Sequence, residues 1–313
     1  MESCRWKEHP ASEAGDGKFP SHSLIQLTIE KSTNTTRIFI IEGVITCALA
    51  MIGATLLVRF PDQEKTRPSF KFLTPQECTF IIDKLNHDRA DVATSPFTLR
   101  AFLRPALDLE IWGFGLIFFS ITTITYSFAF FLPIVLREGF GFSLAASQCL
   151  IAPPYVLSAI LMYATSWLGD RYHTRAPILV LNTIISLIGL PMMGFHSNST
   201  VRYIGAFIGV AGANANVPAA MAYQANNIRG QWKRAFCSAT LVGMGGIGGI
   251  SGSLIFRSQD APGYYWGFVG TIVANCVVLV VCAILSVVFW RRNRKADRGE
   301  LVIEGLEGFR YTL

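Results

Sequence analysis

The chain has 313 residues, 51% of them hydrophobic and only 15% charged, with a formal net charge of +6. About 25% charged residues is ordinary for a soluble protein, so the solvent for most of this chain is lipid, and a soluble enzyme or binding module is excluded. The basic residues sit at the ends of apolar runs and not in one patch, which explains the charge as a topology signal and leaves no nucleic-acid partner to infer.

Residues 1–36 are mixed polar sequence without apolar periodicity, and Met1 to Lys18 lacks the apolar core of a signal peptide. The segment is expected to be disordered or foreign to the fold. The first apolar run, Ile38 to Val58, reaches the roughly 20 residues needed to cross the hydrocarbon core. A charged connection over residues 59–108 follows, too long for a simple hairpin. Within it Thr74-Pro75-Gln76-Glu77 is a capping box with proline at the first helical position. It predicts a surface helix from Pro75 to about Asp91, with Phe80, Ile81 and Leu85 on its apolar face. Further apolar runs span Leu109 to Leu136, Ser143 to Leu168, Ala176 to Phe195, Tyr203 to Ala225, Ala235 to Phe256 and Tyr265 to Trp290. The expected fold class is all-α: a multi-pass membrane protein of about seven transmembrane helices.

Several spans carry internal features. Pro153-Pro154 interrupts one and predicts a kink, since neither residue donates a helix bond. Gly212-Ala213-Asn214-Ala215-Asn216-Val217-Pro218 combines a missing amide with two side-chain amides; it reads either as a broken helix lining a wet cavity or as a packing kink. Gly245 with Gly249, and Gly248 with Gly252, are small-xxx-small pairs that let helix backbones approach closely, and packing is their expected role. The seven cysteines form no Cys-x-x-Cys pair and the five histidines have no ligand spacing, so no metal or cofactor is expected. No nucleophile or phosphate-loop constellation is present, which argues against an enzyme.

Alternate gaps between spans are basic. Arg171 and Arg175, then Arg229, Lys233 and Arg234, then Arg291 to Arg298 fall on one side, which the positive-inside rule makes cytoplasmic together with the C-terminus. The acceptor tripeptides at Asn34 and Asn198 fall on the side assigned as external, where glycosylation is possible chemistry. Seven spans closed by Asp170-Arg171-Tyr172 imitate a G-protein-coupled receptor. The long first internal connection, the last span reading Asn275-Cys276-Val277-Val278-Leu279 without an Asn-Pro-x-x-Tyr element, and the lack of an external cysteine beyond Cys4 argue against it.

From Arg37 to about Asp297 the chain resembles the allantoate permease group, the anion:cation symporters of the major facilitator superfamily. The resemblance is carried by Arg37-Ile38-Phe39-Ile40-Ile41-Glu42-Gly43, Leu73-Thr74-Pro75-Gln76-Glu77, Leu132-Pro133, Gly169-Asp170-Arg171, Asn216-Val217-Pro218, Gln224 to Gly230, and Lys233-Arg234-Ala235, in that order. Members have twelve spans in two six-helix halves. The resemblance therefore implies that 37–58 is the sixth helix, 59–108 the cytoplasmic connection, 109–290 the C-terminal half and 291–313 a cytoplasmic tail. On that reading the chain is the C-terminal part only, a truncated product or a short isoform.

The same resemblance makes Gly169, Asp170, Arg171 and Arg175 a cytoplasmic gate, in which the acid meets a helix N-terminus or a basic partner on a neighbouring helix; the alternative is a plain positive-inside anchor. It implies proton-coupled symport of small organic anions such as allantoate, ureido acids or vitamin carboxylates, by alternating access in the plasma membrane. The middle of every span lacks Asp, Glu, Lys and Arg, so this half offers only neutral polar groups: Tyr126, Ser127, Gln148, Asn214, Asn216 and Asn275. Tyr126, Asn214 and Asn216 are the expected cavity hydrogen-bond donors. The partners expected are the bilayer, an organic anion with a proton, and another permease chain; alone, the chain is expected not to transport.

Overall fold

The computed structural model describes residues 21–57, 60–64, 73–89, 97–140, 144–260, 263–306 and 308–313. Among them, seven helices are long and apolar enough to cross a membrane, as expected. The chain separates into two units, Met1–Lys84 and Leu85–Leu313.

The first unit contains α1, Ser21–Leu56. It begins at Ser21, so the segment expected to be disordered to residue 36 is helical over its second part. The reason is visible in the chain: no glycine or proline stands between Pro20 and Gly43 to stop the helix. None of its Phe39–Leu56 window is buried, and a helix apolar on all sides is at home in lipid. The backbone of Asn34 lies within α1, but its side chain lies outside the described residues.

The surface helix α2 runs Pro75–Arg89. Its capping box forms as the sequence predicts: the Thr74 amide donates to Glu77 Oε2 at 2.8 Å, and the Glu77 amide donates to Thr74 Oγ1 at 3.4 Å. The apolar face differs from the expected one, because Cys78 is buried while Phe80 is 67% exposed; the Leu85 side chain lies outside the described residues. Hydrogen bonds from Thr74 hold the Glu77 carboxyl below its ordinary range. A depressed carboxylate contributes above its ordinary pKa and loses that contribution as pH falls through the lowered value. A peptide covering 73–91 is therefore expected to lose helicity on acidification, and Glu77→Gln to flatten that dependence, read by circular dichroism.

The second unit is a bundle of six long helices: α3 Leu109–Phe140, α4 Leu144–Tyr172, α5 Ala176–Phe195, α6 Ser199–Asn227, α7 Gln231–Ile255 and α8 Tyr265–Asp297. Up-and-down connectivity puts the N-termini of α3, α5 and α7 and the C-termini of α4, α6 and α8 at one end, called here the basic end. α3 is the centre of the bundle, with 67% of its span window buried, and it packs on α7, α8 and α6. The remaining main contacts are α5 with α6, α6 with α4, and α8 with α5. Two aromatic-rich cores form. One, nearer the basic end, holds Phe114, Tyr223 and Phe289; the other holds Phe131, Phe268 and Tyr264, with Phe131 stacked on Phe256 at 3.8 Å between ring centroids.

Lipid supplies no hydrophobic drive between helices, so close packing and interhelical hydrogen bonds hold them. The α3–α7 contact is the expected glycine seam. A Cβ on Gly248 would stand 2.4 Å from Phe119 O, one on Gly252 2.4 Å from Thr123 O, and those on Gly245 and Gly249 would meet Phe118 and Tyr126. Ser127 Oγ donates across the seam to Gly252 O at 3.1 Å. A second seam, absent from the sequence reading, joins α5 to α6: Gly189 against Gly209 N at 2.2 Å, Gly205 against Met193 N at 2.6 Å and Gly212 against Ser186 N at 2.5 Å, all measured from an added Cβ.

The prolines do not break their helices. α4 continues through Pro153-Pro154 and α6 through Pro218, so α6 is unbroken where Asn214 and Val217 line the cavity described below.

Candidate functional site

A cavity of about 810 Å³ opens between α3, α4, α6 and α7. The floor is α7, where Gly245, Gly246 and Gly249 leave room by having no side chains. α3 contributes Phe118, Thr122, Thr125, Tyr126 and Phe130, α4 contributes Met162, and α6 contributes Asn214 and Val217. No formally charged residue is among these lining groups.

Tyr126 is 47% exposed. Its ring lies over Gly249, where an added Cβ would be 3.3 Å from it, and stacks with Phe130 at 6.4 Å between centroids. Asn214 donates to Val210 O at 2.9 Å, which spends one amide hydrogen and leaves the group its second N–H and its carbonyl oxygen for a ligand. The Thr125 hydroxyl, which the sequence reading did not single out, is buried without a hydrogen-bond partner among the described residues, on the same wall.

Asn216 is not in this cavity. It is 2% exposed, and its amide donates to Thr183 Oγ1 of α5 at 3.0 Å. Two residues along a helix are about 200° apart, so Asn214 and Asn216 cannot share a face. Ser127 and Asn275 are also buried, donating to Thr123 O and Thr271 O respectively, while the Gln148 side chain lies outside the described residues.

The Gly169–Arg175 bracket forms the turn from α4 into α5. Asp170 pairs with Arg175, the N-cap position of α5, so the acid meets a basic partner within its own hairpin. Asp170 is largely exposed, and an exposed pair contributes little on its own, roughly 0 to 1 kcal/mol. Gly169 keeps the turn tight, because a Cβ there would stand 3.2 Å from Thr174 O. His173 takes a left-handed conformation with φ of 52°. Arg171 points elsewhere, over the Trp167 ring at 5.8 Å. At the opposite end, Asn198 is exposed and caps α6 by accepting from the Thr200 amide at 2.9 Å.

Ion pairs concentrate at the basic end. Lys233 of α7 bridges Asp108 at 2.9 Å and Glu304 at 2.7 Å, and Arg292 of α8 pairs with the buried Glu110 of α3.

A glycine-seamed bundle of six long apolar helices with a neutral, aromatic cavity on one wall defines a multi-pass helical membrane protein. The Major Facilitator Superfamily profile matches residues 29–253, and the chain belongs to that superfamily. The match includes 29–36, which the motif resemblance had left outside.

The chain is 27% identical over 282 residues to the MFS-type transporter cnsO of Penicillium expansum, covering 88% of this chain and 54% of that protein. It is 26% identical over 300 residues to the major facilitator-type transporter hxnP of Emericella nidulans, covering 91% and 57%. It is 24% identical over 188 residues to the high-affinity nicotinic acid transporter of Saccharomyces cerevisiae, covering 60% and 35%. The chain thus spans about half the length of the curated relatives it matches first. No solved structure matches it.

Proposed function

We propose that the chain forms the substrate-facing wall of a transporter for small organic anions, equivalent to the sixth through twelfth helices of an allantoate-permease-type symporter. The observation that carries the reading is the cavity, placed where four helices of one half meet and built from Tyr126, Phe130, Thr125 and Asn214 around a glycine floor. In this reading 59–108 is the cytoplasmic connection, 109–290 the C-terminal half, and the basic end faces the cytoplasm of cells that carry the protein in the plasma membrane. A reporter fused after Leu313 is then expected to remain protected from external protease.

The wall narrows the substrate class among the anions considered. Its largely apolar and aromatic surface suits a planar vitamin carboxylate better than a ureido acid such as allantoate, whose many amide groups would lose water with few partners here. Likeness to a nicotinic acid transporter supports the same preference. Because no cation lines this wall, the group that neutralises the carboxylate and the proton-coupling acid belong to the facing half, and transport proceeds as the halves rock about the site.

The test is uptake of labelled nicotinate by cells expressing this chain fused behind the part of hxnP that precedes its match, with unlabelled nicotinate and allantoate as competitors. Nicotinate is expected to compete the better, and equal or inverted competition would refute the preference. Tyr126→Ala and Asn214→Leu are each expected to raise the apparent KM about tenfold, the loss of roughly 1.4 kcal/mol of contact. Asn216→Leu, which sits behind the wall, is expected to alter folding yield before KM.

A further inference from the structure

The sequence reading makes 291–313 a cytoplasmic tail, yet α8 continues to Asp297 and the chain beyond it turns back and packs. Ile303 and Tyr311 are 3% and 4% exposed. The Tyr311 ring stacks on Phe289 of α8 at 4.3 Å and 16°. Its burial pushes the phenol up to about 12.

The tail is held mainly through its backbone. Asn293 of α8 donates to Tyr311 O at 2.8 Å and accepts from the Tyr311 amide at 2.9 Å. Asn227, the last residue of α6, donates to Thr312 O at 3.1 Å and accepts from the Thr312 amide at 2.8 Å. Two asparagine side chains thus bond both the N–H and the C=O of two consecutive residues. On the following residue, Leu313 O accepts from the Arg175 amide at the start of α5, 2.9 Å away. Glu304 pairs with Lys233 of α7, and Arg229 lies over the Phe309 ring at 4.9 Å.

We propose that residues 303–306 and 308–313 form a clasp that binds the basic ends of α5, α6, α7 and α8 together and anchors the Asp170–Arg175 hairpin to them. These helices already meet in the core nearer the basic end, which Ile303 and Tyr311 join, and the clasp adds polar contacts to each of them. Its contacts fix the hairpin's position through Arg175 independently of the weak, exposed Asp170 pair. Freed from the clasp, the hairpin can shift without dragging α6 and α8.

Hydrogen exchange of the full chain in lipid nanodiscs tests this. In the unaltered chain the Tyr311 and Thr312 amides are expected to be protected at least tenfold relative to unstructured peptide. Asn227→Ala with Asn293→Ala is expected to raise exchange at least tenfold both in 308–313 and in the hairpin at 170–176, with no change at the far end of α5. Thr312→Pro removes a clasp donor without touching any helix and is expected to produce the same pattern, so a folding defect in the asparagine variant does not leave the matter open. Unprotected Tyr311 and Thr312 amides in the unaltered chain would overturn the clasp. Clasp release that leaves hairpin exchange unchanged would overturn its hold on the hairpin.

Discussion

Gly248→Ala is expected to destabilise the bundle by about 3 kcal/mol, at the upper end of ordinary overpacking. The added methyl would arrive 2.2 Å from Thr122 Oγ1 and 2.4 Å from Phe119 O. The second of these is backbone in the middle of α3, the most buried helix of the bundle, and it cannot turn aside as a flexible side chain would. The helices must separate, which also strips the neighbouring Ser127 to Gly252 hydrogen bond of its geometry. Gly246→Ala is the internal control. It lies two residues away on the same helix with nothing within 4 Å, so it is expected to be neutral or to stabilise by up to about 1 kcal/mol through helix propensity alone. Denaturation of the purified chain in mixed micelles, followed by tryptophan fluorescence, compares the two. Equal effects would mean that α3 and α7 do not meet at Gly248.

Arg292→Leu is the second substitution with a large expected effect, because it leaves Glu110 behind as a buried carboxylate without its partner. Glu110 is 7% exposed. Removing one member of a buried pair costs about 3 to 5 kcal/mol. Arg292 is itself 42% exposed at its side chain, so solvent already screens part of the attraction and about 2 kcal/mol is the better expectation. Adding Glu110→Gln should recover most of the loss, since the orphaned charge is then gone. Arg292 also donates to Tyr311 Oη at 3.3 Å, so the double variant is not expected to return fully to the original stability. A double variant as unstable as Arg292→Leu alone would show that the pair with Glu110 is not what the arginine supplies.

Hydrophobic run length made the seven spans legible because lipid demands it of any helix that crosses. The capping box of α2 was legible for an equally local reason, since Thr74 and Glu77 satisfy each other within one turn. The glycine seam of α7 could be read as well, as its spacing lies within one helix. The α5–α6 seam was harder: Gly189 stands on one helix and Gly205, Gly209 and Gly212 on the other, so no single-helix pattern contains the contact. Gly205 and Gly209 were nonetheless a small-xxx-small pair that could have been noticed.

At the site, Tyr126 and Asn214 fall together on the cavity wall. Asn216 was grouped with them by polarity and closeness in sequence, although helical geometry alone separates them. Thr125 escaped notice because threonine in a membrane helix commonly bonds back to its own backbone, as Thr122 and Thr123 do here. The clasp could not be read at all. Its recognition runs through backbone groups, which every tail possesses, and through asparagines 227 and 293 that only folding brings to one end.

The most direct test of the central claim is uptake of labelled nicotinate by cells expressing the 313-residue chain alone, compared with cells expressing it together with the hxnP region that precedes its match. The account predicts uptake at the vector level for the chain alone and saturable uptake, sensitive to Tyr126→Ala, when both parts are present. Saturable uptake by the chain alone, or joint uptake indifferent to Tyr126, would contradict it.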